Sequence, residues 1–269
     1  MKENVVQKLL DINREFYQTF APDFSATRMR LQPGAKRILK NVTLQSNILD
    51  LGCGNGELAR SLAEMGFKGR YLGLDFSADL LEIARKGTTE TGLYSFIQAD
   101  LASPQWDLEV KEFANLGIDI VFAFASFHHL PGRDIHIQVL QKIHSLLKDG
   151  GCLIHSHWQF LNSVRLRKRI QPWSAAGLAP DDVEPGDYLL DWRQGGYGLR
   201  YVHLFSQDEL ISLAEKTGYK MVESFYSDGE GGKLGLYQVW EKVILHRGVE
   251  RQDRNLAHPG PGNRFEARR

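Results

Sequence analysis

The sequence predicts an α/β fold class with a mostly parallel sheet. Short apolar runs recur along the chain, and each ends in an acidic residue or a glycine turn. Amphipathic helical stretches separate these runs, which is the alternation that builds parallel strands with crossover helices. A final pair of strand-like runs around a glycine-rich turn adds an antiparallel hairpin.

The elements follow in order. Residues 1–40 read as an N-terminal helical segment packing on the core, with Val5, Leu9, Ile12, Phe16 and Phe20 on one stripe and breaks at Pro22 and Pro33. The main domain is expected over 41–245. Its first strand, Ile48 to Leu51, runs into Gly52-Cys53-Gly54-Asn55-Gly56, and a helix follows from Glu57 to Met65. Glycine at every second position lets the backbone approach a small polar molecule where side chains would collide. A second strand, Arg70 to Phe76, carries Asp75 roughly twenty residues on, where a ribose-binding carboxylate belongs. One carboxylate suits two vicinal hydroxyls because it accepts from both.

Ser77 is the expected N-cap of a helix over Ala78 to Lys86. A third strand, Ser95 to Leu101, includes Asp100, and a fourth, Ile118 to Ser126, is apolar enough to be buried on both faces. The helix Ile135 to Leu147 is expected to stop at Gly150-Gly151, and strand five covers Cys152 to Trp158. An insertion spans about 159–199. A capping box, Ser206 to Glu209, opens the next helix, and Tyr219–Tyr226 with Leu234–Val243 form the hairpin. Residues 246–269, charged and containing Pro259 and Pro261, are expected to be a disordered tail.

Composition narrows the class. Lysine plus arginine balance aspartate plus glutamate, 33 against 33, so no global field draws a polyanion, and any nucleic acid would need a local basic patch. The two cysteines, Cys53 and Cys152, do not read as a disulfide or as metal ligands. No apolar run reaches the ~18–20 residues that span a bilayer, and no signal peptide is recognisable, so the expectation is a cytoplasmic protein without membrane contact.

The glycine turn excludes a dinucleotide fingerprint, because Glu57 stands where its third glycine belongs. The spacing Asp50-x-Gly52-x-Gly54-x-Gly56 instead resembles motif I of the class I methyltransferases that use S-adenosylmethionine (SAM). That resemblance implies a Rossmann-like, seven-stranded, mostly parallel sheet closed by an antiparallel β-hairpin. It also implies cofactor binding by Asp50, Gly52, Cys53, Gly54, Asn55, Gly56, Asp75, Phe76, Asp100, Leu101 and Ala123.

Three further stretches bear on the acceptor. Phe20 to Arg28, Gly186 to Arg193, and Arg200-Tyr201-Val202-His203-Leu204-Phe205 resemble segments of the tRNA wobble-uridine carboxymethyl methyltransferases, the yeast Trm-nine and animal AlkB-homologue-eight group. The resemblance implies methyl esterification of a carboxymethyl group on tRNA, with a small activator subunit in eukaryotic relatives. Such a carboxylate, with a pKa near ~4, is already ionised at neutral pH and needs no general base. It needs a cationic clamp, for which Arg200 is the first candidate and Arg28 and Arg193 the next. Tyr201 and His203 are expected to fix the base or carboxylate, and His128 to line the active-site mouth. His128-His129 lacks the partners of a metal site, and His155 and His157, on one face of strand five, are expected to pack or line the cleft and not to catalyse.

If the acceptor is tRNA, the basic run Arg165, Arg167, Lys168 and Arg169, with Arg28, Arg30, Lys36 and Arg37, is the expected phosphate surface, and Trp173, Trp192 and Tyr197 are stacking candidates. Two alternatives stay open at this point: an O-methyltransferase of a small carboxylic acid, phenol or quinone precursor, and a non-catalytic SAM-binding scaffold.

Overall fold

The computed structural model describes residues 1–27, 30–88 and 92–243. Arg28 and the segment expected to be a disordered tail lie outside them. Helix α1 (Glu3–Ala26) and α2 (Pro33–Leu39) precede β1 (Asn47–Leu51), α3 (Glu57–Glu64), β2 (Arg70–Asp75), α4 (Ala78–Gly87) and β3 (Tyr94–Gln98). Next come α5 (Lys111–Ala114), β4 (Ile118–Phe124), α6 (Arg133–Leu146) and β5 (Leu147–Trp158). The insertion contributes α7 (Val164–Arg167), β6 (Ile170–Gln171), β7 (Asp187–Trp192) and β8 (Gly198–His203). Helix α8 (Gln207–Lys216), β9 (Tyr219–Ser227) and β10 (Gly235–Lys242) complete the fold.

The main sheet has seven strands in the order β3-β2-β1-β4-β5-β10-β9. Strands β1 to β5 pair in parallel, and β10 runs antiparallel to both β5 and β9. Period-two alternation sorts the side chains. Leu49, Leu51, Val121, Ala123 and Leu153 face α6 and α8, while Ile48, Tyr71, Phe122 and Ile154 face α2 and α3. Both faces are covered, which is why the central strands read as continuous apolar runs. The chain leaves β1 toward β2 and β3, then returns to the opposite side with β4. That reversal opens a crevice beyond the carboxyl ends of β1 and β4.

Several sequence expectations change here. Gly150 and Gly151 do not stop α6: Leu147 is already extended, and the glycines lie inside β5 where its register with β4 shifts between Ile118 and Ile120. The insertion folds into a separate antiparallel sheet, β6-β7-β8, which runs beyond the expected end at 199 to His203. Pro22 lies within α1 and bends it, with non-helical backbone at Phe20. Proline removes an amide donor and crowds the preceding turn. Pro33 instead takes the first turn of α2, where its missing N–H costs nothing. Helix α1 lies against β8 and α4, bridging the insertion and the main sheet.

Candidate active site

A cavity of about 320 Å³ occupies the crevice, within the range of small-molecule sites. The carboxyl ends of β1 to β5 and the turns that follow them supply its floor: Gly52 to Asn55, Asp75 and Phe76, Ala99 to Leu101, Phe124 to Ser126, and Ser156 to Trp158. Residues Leu10, Asn13, Arg14, Tyr17 and Phe24 of α1 form one wall, and Arg200 reaches in from β8.

The half of the cavity expected to take the cofactor is built around buried carboxylates. Asp75 Oδ2 accepts from the Gly54 amide at 2.9 Å, and its Oδ1 accepts from the Ser77 amide at 2.9 Å. Burial pushes Asp75 up to about 6, against the backbone donors of Ser77, Gly54 and Phe76. Asp50 accepts the Tyr71 hydroxyl at 2.5 Å. Burial raises it to about 7, with Tyr71 opposing and neighbouring Asp75 adding to the rise. Asp50 therefore sets the geometry of the β1 end, tied to β2 through Tyr71.

The glycines divide the work. Gly52, Gly54 and Gly56 all have positive φ. A Cβ at Gly52 would stand 2.6 Å from Ser126 Cβ, and one at Gly56 would stand 2.8 Å from Ala84 Cβ. At Gly54 a Cβ would meet open space, so this is the glycine that keeps the cavity clear. Gly56 caps α3 against α4 and does not line the cavity, contrary to its expected cofactor role. Ala123 is a second correction. It shares the α6 face with Val121, fully buried, one residue before the lining begins at Phe124. Ala125 lines the cavity with φ 52, a strained value for a residue with a Cβ, and its amide donates to Ser156 O at 3.0 Å.

Cys53, Asn55, Phe76 and Leu101 all line the cavity. Asn55 Nδ2 donates to Ser25 Oγ at 2.9 Å, joining the turn to α1. Asp100 also lines it, and one of its oxygens accepts from Arg14 Nη2 at 2.6 Å.

On the acceptor side, the Arg200 guanidinium is buried among aromatic faces, 5.0 Å from the Phe16 ring centre, 4.9 Å from Trp158 and 5.9 Å from Trp192. His128 lines the same region. Burial holds its imidazole well below the usual histidine range, with His129, His157 and Arg200 adding repulsion. Its Nδ1 accepts from the Trp158 amide at 3.4 Å, which leaves the proton of the neutral ring on Nε2.

Tyr201 and His203 stand elsewhere. Strand alternation turns them away from the cavity that Arg200 faces, and neither lines it. The Tyr201 hydroxyl donates to Asp187 Oδ1 at 2.6 Å. His203 Nδ1 meets the same oxygen at 2.7 Å, and its Nε2 lies 3.1 Å from Glu209. Burial alone would lower His203, but its hydrogen bonds to Asp187 and Glu209 push it up to about 9. The expected acceptor contacts are thus a buried ionic mount that ties β7 and β8 to α8. Arg193 pairs with Asp191 at 2.7 Å instead of entering the cavity, and Trp173 packs beside Tyr201. Trp192 contacts the Phe16 ring and Arg200, while Tyr197 is exposed. Arg165, Arg167 and Lys168 are exposed on and just after α7, and Arg169 pairs with Asp191.

The sequence reading overlooked Asn13, Arg14 and Tyr17. A polar residue between Leu9 and Phe16 on an apolar stripe was the available signal. Among the described residues there is no cluster of histidine, cysteine and carboxylate groups able to hold a metal, and no helix is long and apolar enough to cross a membrane.

A family model described as a methyltransferase domain matches residues 44–224. A methyltransferase homologue from Encephalitozoon cuniculi is 30% identical over 209 residues, covering 77% of this chain and 87% of that protein. The tRNA (carboxymethyluridine(34)-5-O)-methyltransferase of Schizosaccharomyces pombe is 25% identical, over 79% of this chain and 90% of its own length. A ubiquinone biosynthesis O-methyltransferase of Colwellia psychrerythraea is 31% identical over 69% of this chain and 65% of its own. Among solved structures, a Haloferax volcanii methyltransferase in complex with the Trm112 methyltransferase activator shares the fold. Its TM-score is 0.59 at 18% identity, covering 87% of this chain and 98% of that one.

Proposed function

Because the chain belongs to the methyltransferase domain family and uses S-adenosylmethionine, we propose that its acceptor is a carboxylate, specifically a carboxymethyl group on a tRNA wobble uridine. The cavity fits the cofactor: Gly54 keeps the floor open, and Asp75 stands at the end of β2 with its oxygens directed by backbone amides. When bound, SAM supplies an electrophilic methyl on a sulfonium.

One observation carries the acceptor assignment. A buried guanidinium, Arg200, faces the cavity beside a neutral histidine, His128. A cation there meets a carboxylate and leaves its oxygen nucleophilic without removing a proton. The aromatic faces around Arg200 exclude water, so the clamp acts in a low dielectric and holds the acceptor in one orientation. Similarity to the S. pombe enzyme across most of both chains supports the tRNA acceptor. The exposed arginines of α7 and Lys168 are its phosphate contacts in this reading, and an activator subunit like that of the Haloferax complex is a candidate partner in the cytoplasm.

A second reading, O-methylation of a small metabolite, is favoured by the mostly apolar lining of the cavity and by similarity to the ubiquinone biosynthesis enzyme. Mass spectrometry of tRNA nucleosides from a deletion strain separates the two. Loss of a methyl-ester uridine is expected; an unchanged nucleoside profile rejects the tRNA acceptor.

A further inference from the structure

Asn13 is buried in the apolar stripe of α1, yet none of its polar atoms is idle. Its Oδ1 accepts from the Tyr201 amide at 2.9 Å, and its Nδ2 donates to Tyr201 O at 3.2 Å and to His129 O at 3.0 Å. Among the described residues, strand β8 is the edge of the small sheet, paired only with β7. A primary amide offers the same donor and acceptor as a neighbouring strand, so Asn13 stands in for the missing partner at Tyr201. Its remaining proton reaches the turn after β4. The residues preceding these two anchor points, Arg200 and His128, are the acceptor-side groups of the cavity. One helical turn on, Tyr17 OH lies 2.8 Å from His129 Nε2 and braces the same turn.

We propose that Asn13 is a positioning residue that sets Arg200 and His128 relative to each other, and so couples α1 to the acceptor half of the site. The inference rests on the reading of Arg200 as the acceptor clamp. A single amide spans two separate segments, the insertion and the end of β4. Its loss therefore lets the clamp and the histidine drift apart while the glycine turn and Asp75, which Asn13 does not touch, keep their geometry.

The test is a double-mutant cycle of Asn13→Ala and Arg200→Ala, with SAM affinity by calorimetry and acceptor kinetics on a tRNA carrying a carboxymethyl wobble uridine. Asn13→Ala should leave SAM affinity within about twofold and lower acceptor kcat/KM about 10- to 100-fold, the scale of a small misplacement of reacting groups. In the Arg200→Ala background the same change should cost less than about twofold, because there is no clamp left to aim. Penalties that multiply, or a parallel loss of SAM binding, overturn the positioning role. If the wild-type protein itself leaves this tRNA unmethylated, the acceptor reading fails separately. Amide exchange then reads the Asn13 claim: faster exchange at Tyr201 with β1 and β4 still protected supports it, and unchanged exchange at Tyr201 refutes it.

Discussion

Replacing Arg200 by alanine tests the acceptor chemistry most directly. The guanidinium stands about 5 Å from the Phe16 and Trp158 ring centres, so its position is held by side chains that remain after truncation. A hydrogen bond to a charged group contributes about 1.5–3 kcal/mol, and a forked clamp on a carboxylate supplies about 3 kcal/mol. At about 1.4 kcal/mol per factor of ten, Arg200→Ala should lower acceptor kcat/KM by about 100-fold or slightly more. Arg200→Lys keeps the charge but loses the planar fork and the stacking, so it should recover only part of that loss. In the proposed site the cofactor is held by the glycine turn and Asp75, which do not depend on Arg200, so calorimetric SAM affinity should not move in either variant. Single-turnover transfer of a radiolabelled methyl group measures the effect. An Arg200→Ala enzyme within about threefold of wild type would refute the clamp, and equal losses of SAM binding and transfer would show that Arg200 only supports the fold.

Two other perturbations separate cofactor binding from stability. Gly54→Arg meets open space but places an L side chain at φ 54, a strain of about 1–2 kcal/mol, so it should fold with a lowered urea midpoint yet abolish SAM binding; Asp75→Ala should also abolish it, and unchanged calorimetric affinity in both would sink the cofactor site. His203, raised to about 9 from an ordinary 6.5, gives stability that is fully present below pH 6.5 and is lost as pH rises through 9. That difference is worth about 3 kcal/mol at 1.36 kcal/mol per unit. Urea midpoints should therefore fall between pH 7 and pH 9.5, and Asp187→Asn should lower the midpoint at pH 7 and flatten the dependence. A midpoint that does not change with pH in the wild type would show that His203 is not ionised in its mount.

Part of the candidate site was legible along the chain. The glycine turn, Asp75 and Asp100 each sit at a strand end, and strand ends can be read from the period and the punctuation of apolar runs. The Arg200-Tyr201-Val202-His203 stretch was legible as a unit, but not the separate roles inside it. Alternation along β8 sends Arg200 into the cavity and Tyr201 and His203 to Asp187, and the side that faces the cavity depends on where the insertion docks. Ala123 failed for a related reason, since one residue of register decides between the α6 core and the cavity wall. The glycines of β5 read as a helix stop because a bulge in a strand and a helix C-terminus use the same residues.

The sequence by itself determined the parallel sheet, its order of elements and the glycine turn, because these depend on local periodicity and on glycines that accept positive φ within a few residues. Tertiary structure alone decided the acceptor half. Asn13, His128 and Arg200 are brought together by contacts between residues more than a hundred positions apart, and the fit of α1 onto β8 chooses which polar groups face the cavity and which are buried as its supports.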